Sequence, residues 1–106
     1  MRDFPIDLQA DVDLTLVEVQ IERCCSDLGL IQAMKDTLAK YPGCIHWHYK
    51  KRRLAGTLEV TLWHSTRRLW LSIQEGRRAE WIEEVLPKVK EYILGSATDL
   101  RPERSA

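Results

Sequence analysis

The sequence predicts an α+β domain in which two helices cover one face of an antiparallel sheet. Two observations carry that prediction. Three consecutive segments between residues 44 and 75 alternate apolar and polar side chains with the period of two that a half-buried strand requires. The segments on either side space their apolar residues by three and four, the period of a helix with one buried stripe.

Over residues 15–22, Val17, Val19 and Ile21 alternate with Glu18, Gln20 and Glu22, and the β-branched content favours a strand. A competing reading is one long helix over about residues 14–40, which would gather Leu14, Val17, Ile21, Cys24, Leu28, Ile31, Met34 and Leu38 on one stripe. Ser26-Asp27 has the chemistry of a helix start, so the expected order is a strand over 15–22 and then a helix over 26–40. Leu28, Ile31, Met34 and Leu38 would form that helix's buried side, and Pro42-Gly43 would end it.

Three strands then follow as a meander over 44–51, 56–64 and 67–75. Ile45, Trp47 and Tyr49, then Leu58, Val60 and Leu62, then Leu69, Leu71 and Ile73 point to one face. His46, His48 and Lys50, then Thr57, Glu59, Thr61 and Trp63, then Arg68, Trp70, Ser72 and Gln74 point to the other. The oily faces match only if residues paired across the first turn sum to an odd number, such as 107. That register sets His48 opposite Glu59 and His46 opposite Thr61, while the second turn sets Thr61 opposite Trp70 and Trp63 opposite Arg68.

A last helix is expected over 77–94, with Ile82, Val85, Leu86, Val89 and Ile93 inward, a kink or break at Pro87 and a stop at Gly95. The polar segment 96–106 reads as a disordered tail. The expected architecture is thus a single domain over 1–95, in the order β-α-β-β-β-α.

A chain of 106 residues with 44% hydrophobic and 30% charged content has the composition of an ordinary globular domain. No apolar run approaches the roughly 18 residues that cross a bilayer, and the acidic amino-terminal segment does not resemble a signal peptide, so the expected location is cytoplasmic, with no membrane partner. Three cysteines, two of them adjacent, form no disulfide framework and read as buried free thiols. The net charge of zero hides a segregation. Residues 1–36 hold eight acids and three bases, residues 40–78 nine bases and two acids, and residues 79–106 six acids and four bases.

No phosphate-cradling glycine loop or nucleophile elbow occurs, so the expected protein is not an enzyme and needs no cofactor. Function is expected on the polar sheet face, where His46, His48, Glu59, Trp63, Arg68 and Trp70 stand together. Two indoles left in water there ask for a cover: the amino-terminal arm (Phe4, Ile6, Leu8), a second copy, or a ligand. Arg68 beside Trp63 has the makings of a cation–π contact. The first expectation is a small interaction module, homodimeric through this aromatic face or an edge strand.

An alternative is binding of RNA or DNA phosphates by Lys50, Lys51, Arg52 and Arg53 at the first turn with Arg77 and Arg78 at the start of the last helix. A third is a metal or small ligand on the face of Cys44, His46 and His48, whose two-residue spacing aligns them, with Glu59 across the ladder. Against that third alternative, the plain expectation is a solvated His48–Glu59 pair and no metal.

Overall fold

The computed structural model describes residues 2–74 and 79–99. They form an α+β fold whose five strands are all antiparallel: β1 (Arg2–Ile6), α1 (Leu14–Asp27), β2 (Ile31–Asp36), β3 (Ile45–Lys50), β4 (Leu58–Trp63), a single turn of 3-10 helix at His64–Thr66, β5 (Arg68–Ile73) and α2 (Glu80–Asp99). The sheet order is β1-β5-β4-β3-β2, so β3, β4 and β5 form the centre and β1 and β2 the two edges. Both helices lie on one face. Their apolar stripes, led by Val17, Ile21, Ile82, Val85 and Val89, meet Trp47, Tyr49, Leu58, Val60, Leu62, Leu69 and Leu71 in one core.

The meander stands as the alternation requires. His48 pairs with Glu59, His46 with Thr61 and Trp47 with Val60 across β3 and β4, each pair summing to 107. Thr61 pairs with Trp70 and Trp63 with Arg68 across β4 and β5.

The first third of the chain departs from expectation. Residues 15–22 are helical, within α1, because burying Leu14, Val17, Ile21, Cys24 and Cys25 on one stripe outweighs the helix cost of three β-branched residues. Asp13 starts this helix, its Oδ1 accepting the Thr15 N–H at 2.9 Å.

Ser26-Asp27, which resembles a helix start, is the helix end. Gly29 takes φ +79°, its N–H donates to the Ser26 carbonyl, and the Leu30 N–H donates to the Cys25 carbonyl at 2.9 Å. That pair of bonds is a Schellman cap, which needs the left-handed residue glycine supplies.

The expected helix over 26–40 is therefore replaced by a tight turn, β2 and a loop. The bulge in β2 hides it from a search for alternation. Gln32 pairs with Tyr49 but Met34 pairs with the very next residue, His48, so Ala33 is an extra residue in the strand.

At the other edge, Arg2–Ile6 is a strand rather than a loose arm. It is paired to β5, and Pro5 is tolerated because the strand is at the border. At the carboxyl end, α2 is one helix through Pro87 and past Gly95, so neither the break nor the stop occurs where expected. The expected start at 77 and the remainder of the tail from residue 100 lie outside the described residues. Among the described residues, no helix is long and apolar enough to cross a membrane.

Candidate functional site

The sheet face turned away from the helices carries the site. Its cover comes from a segment that the sequence reading did not single out. The loop 37–44 between β2 and β3 folds over this face and sets the Tyr41 ring 4.9 Å from Trp63 and 5.0 Å from Trp70. Trp63 Nε1 donates to the Pro42 carbonyl at 3.0 Å, which pins the loop to β4. Trp70 retains 9% of its exposure and Trp63 is half-buried. Tyr41 thus supplies, from within the chain, the cover that was expected from the amino-terminal arm or second helix, a second copy or a ligand. Phe4 and Ile6 serve the opposite face: Ile6 is buried in the core and Phe4 packs against it. The guanidinium of Arg68 sits 5.5 Å over Trp70, not over its cross-strand neighbour Trp63.

Beside this aromatic cluster, parity and register bring three Lewis bases to one point. His46 and His48 share a face because they are two apart on β3, and Glu59 joins them because it faces His48 on β4. His46 Nε2 lies 3.0 Å from His48 Nε2 and 3.2 Å from Glu59 Oε1. His48 Nε2 lies 3.7 Å from the same oxygen. Glu59 and His46 each retain only 5% exposure, so the expected solvated His48–Glu59 pair is instead a largely buried three-residue cluster. His48 is the half-buried member that reaches the surface.

The protonation of this cluster follows from its contacts. Burial pushes the His46 imidazole below the ordinary histidine value, the Glu59 carboxylate opposes that shift, and His48 adds to it. His46 Nδ1 lies 2.8 Å from Thr61 Oγ1, itself buried and paired across the ladder with Trp70. When Nδ1 carries the proton and donates to that hydroxyl, Nε2 presents its lone pair to the cluster. Two imidazole nitrogens 3.0 Å apart leave room for one proton between them, not two. A cation placed among the three atoms would accept a lone pair from each of them at once.

Cys44, the third candidate ligand, precedes β3 and is turned elsewhere. Its Sγ accepts the Leu38 N–H at 3.4 Å and contacts Thr37 Oγ1 at 3.9 Å, so it braces the base of the loop. The cluster that can hold a metal among the described residues is His46, His48 and Glu59.

Of the phosphate-binding candidates, Lys50 Nζ donates to Thr57 Oγ1 at 3.0 Å, Lys51 is half-buried, and Arg52 and Arg53 are exposed on the β3–β4 turn. Arg77 and Arg78 lie outside the described residues. A shallow groove beside that turn is lined by Leu28, Ile31 and Leu54 with Lys51, Arg52 and Arg53.

Comparison with protein-family models, curated proteins and solved structures finds no match for this chain.

Proposed function

We propose that this domain binds a transition-metal ion through His46, His48 and Glu59. The observation that carries the assignment is the convergence of three neutral or anionic ligand atoms, all within 4.8 Å of one another, on the face that also carries the Tyr41, Trp63 and Trp70 rings. Ligands about 2.0–2.2 Å from a tetrahedral metal stand roughly 3.3–3.6 Å apart, close to the separations present here. Two imidazoles and one carboxylate form the donor set of open catalytic zinc sites and of facial iron triads, with at least one position left for a further ligand. Thr61 supplies the outer hydrogen bond that fixes the ring of a metal-bound histidine.

Calorimetric titration of chelator-stripped, tag-free protein with Zn(II) tests this. One ion per chain is expected. His48→Ala should weaken binding by more than about 100-fold, and Thr61→Val by roughly 10- to 100-fold, the usual effect of losing an outer-shell partner. Failure to bind Zn(II) or any other transition-metal ion, or Zn(II) binding that His48→Ala leaves intact, overturns the proposal.

A second reading concerns association. Five of the six β2 residues are exposed, and that strand's outer edge has no partner among the described strands. β1, at the opposite border, carries Pro5, whereas β2 has no proline to block strand addition. A second copy of the chain pairing along β2 would extend the sheet. Sedimentation at tens of micromolar protein should then show a dimer that Ala33→Pro converts to monomer, and a monomeric wild-type protein counts against it.

A further inference from the structure

Resting on the metal site proposed above, we infer that Met34 is its fourth ligand and that the ion it selects is copper, held as Cu(I). The bulge in β2 supplies the reason. Continued regularly from the Gln32–Tyr49 pair, β2 would set Ala33 opposite His48 and turn Met34 towards the helices beside Trp47. The extra residue shifts the register by one, and Met34 becomes the direct neighbour of His48 instead.

Independent contacts on either side of the bulge fix the faces. Before it, Gln32 meets the inward-facing Tyr49, whose hydroxyl donates to Gln32 Oε1 at 3.4 Å. After it, Lys35 lies 6.0 Å over the inward-facing Trp47. Met34, between these two, therefore shares the outer face with His46, His48 and Glu59.

Its side chain is half-buried although both sequence neighbours are exposed. Paired residues on one sheet face have Cβ atoms roughly 4.5–5.5 Å apart, and the methionine stem has three rotatable bonds, so the thioether is within reach of an ion on His48 Nε2. Met34 and His48 are also the half-buried members of the group, so the ligand position left open by the triad lies on their side.

The chemistry of sulfur then decides the metal. Structural and catalytic zinc sites use thiolate, imidazole and carboxylate, and a neutral thioether adds little to this borderline divalent ion. A neutral thioether with two imidazoles suits Cu(I), which is soft, carries one charge and accepts three or four ligands. Glu59 would remain the anionic ligand, its carboxylate neutralising the added charge within a buried face.

Binding of Cu(I), delivered anaerobically in competition with a chromophoric Cu(I) chelator, is compared with Zn(II) calorimetry for wild type, Met34→Leu and Cys44→Ser. Leucine nearly conserves the volume of methionine, so the fold should be retained. The expected result is a loss of Cu(I) affinity of roughly tenfold or more in Met34→Leu, with Zn(II) affinity unchanged and Cys44→Ser behaving as wild type. X-ray absorption of the Cu(I) protein should show a sulfur scatterer that Met34→Leu removes and Cys44→Ser keeps. If wild type binds Cu(I) and Met34→Leu binds it equally well, or if the sulfur disappears in Cys44→Ser, the methionine assignment is overturned while the triad stands. If wild type binds neither ion, the triad itself is overturned.

Discussion

Replacing Tyr41 with alanine tests whether this protein closes its own aromatic face. The ring lies 4.9 Å from Trp63 with the planes tilted by 57°, and 5.0 Å from Trp70 at 77°. Aromatic pairs in such tilted arrangements contribute about 0.5–1.5 kcal/mol each beyond their buried area, so losing both costs roughly 1–3 kcal/mol. With a urea dependence of about 1–1.5 kcal/mol per molar for a domain of this size, the unfolding midpoint should fall by roughly 0.7–3 M. The assay is equilibrium urea unfolding followed by tryptophan emission and, independently, by far-UV circular dichroism. Native emission should also move to longer wavelength, because Trp70 goes from 9% exposure to open contact with water. Tyr41→Phe keeps both ring pairs and should remain within about 0.5 kcal/mol of wild type. A Tyr41→Ala protein that unfolds at the wild-type midpoint with unshifted emission would refute the reasoning, and the indoles would then need another cover, such as a second chain.

Other consequences follow from individual contacts. Gly29→Ala should destabilise the domain by about 1 kcal/mol in the same urea assay, because the added Cβ meets nothing within 4 Å and the cost is that of holding alanine at φ +79°; no change would mean that the cap is not formed. Burial pushes the Cys24 thiol up to about 11 and the Cys25 thiol up to about 12, so neither should react with a thiol reagent at pH 8 until the protein unfolds, and rapid native labelling of either would contradict their place in the core. Burial alone would raise the Glu22 carboxyl, but hydrogen bonds from Lys35 and Trp47 overcome it and hold that group below its ordinary value. Its contribution is therefore present above the unfolded carboxylate value and is lost as the pH falls through the lower folded value. Lys35→Gln should accordingly reduce the loss of stability between neutral pH and about pH 3, by no more than about 1 kcal/mol since the pair is partly exposed; an unchanged acid limb would count against the bridge.

The sheet centre was legible because three strands with strict parity leave little freedom in register. Two odd pairing sums, 107 across the first turn and 131 across the second, set the cross-strand neighbours from Ile45 to Ser72, including His48 with Glu59. The first third was not, because Val17 and Ile21 satisfy both a period of two and a period of four. Val19, the residue that tips the pattern towards a strand, is an exposed helix position with 44% of its surface in water. The Gly29-Leu30 pair was the local signal for a helix end, and it was masked by Ser26-Asp27 just before it. The bulge at Ala33 left Ile31 and Met34 three apart, which imitates a helical stripe.

Of the site, the histidine spacing and the facing carboxylate could be read from the sequence. What the sequence did not reveal is that His46 leans between His48 and Glu59 with Thr61 behind it, nor that a loop would bring Tyr41 over the tryptophans. Both depend on side-chain packing across elements that are distant in the chain. Met34 is a clearer case still, since a single inserted residue decides which face it serves.

The location of a bound ion is the most direct test of the central proposal. Crystals grown from chelator-stripped protein and soaked in Zn(II) or grown with Cu(I) should give one anomalous peak between β3 and β4, about 2.0–2.2 Å from His46 Nε2, His48 Nε2 and a Glu59 carboxylate oxygen for zinc. An ion at any other position in the chain, or a His46–His48–Glu59 cluster that stays free of metal when the ion is supplied in excess, would contradict it.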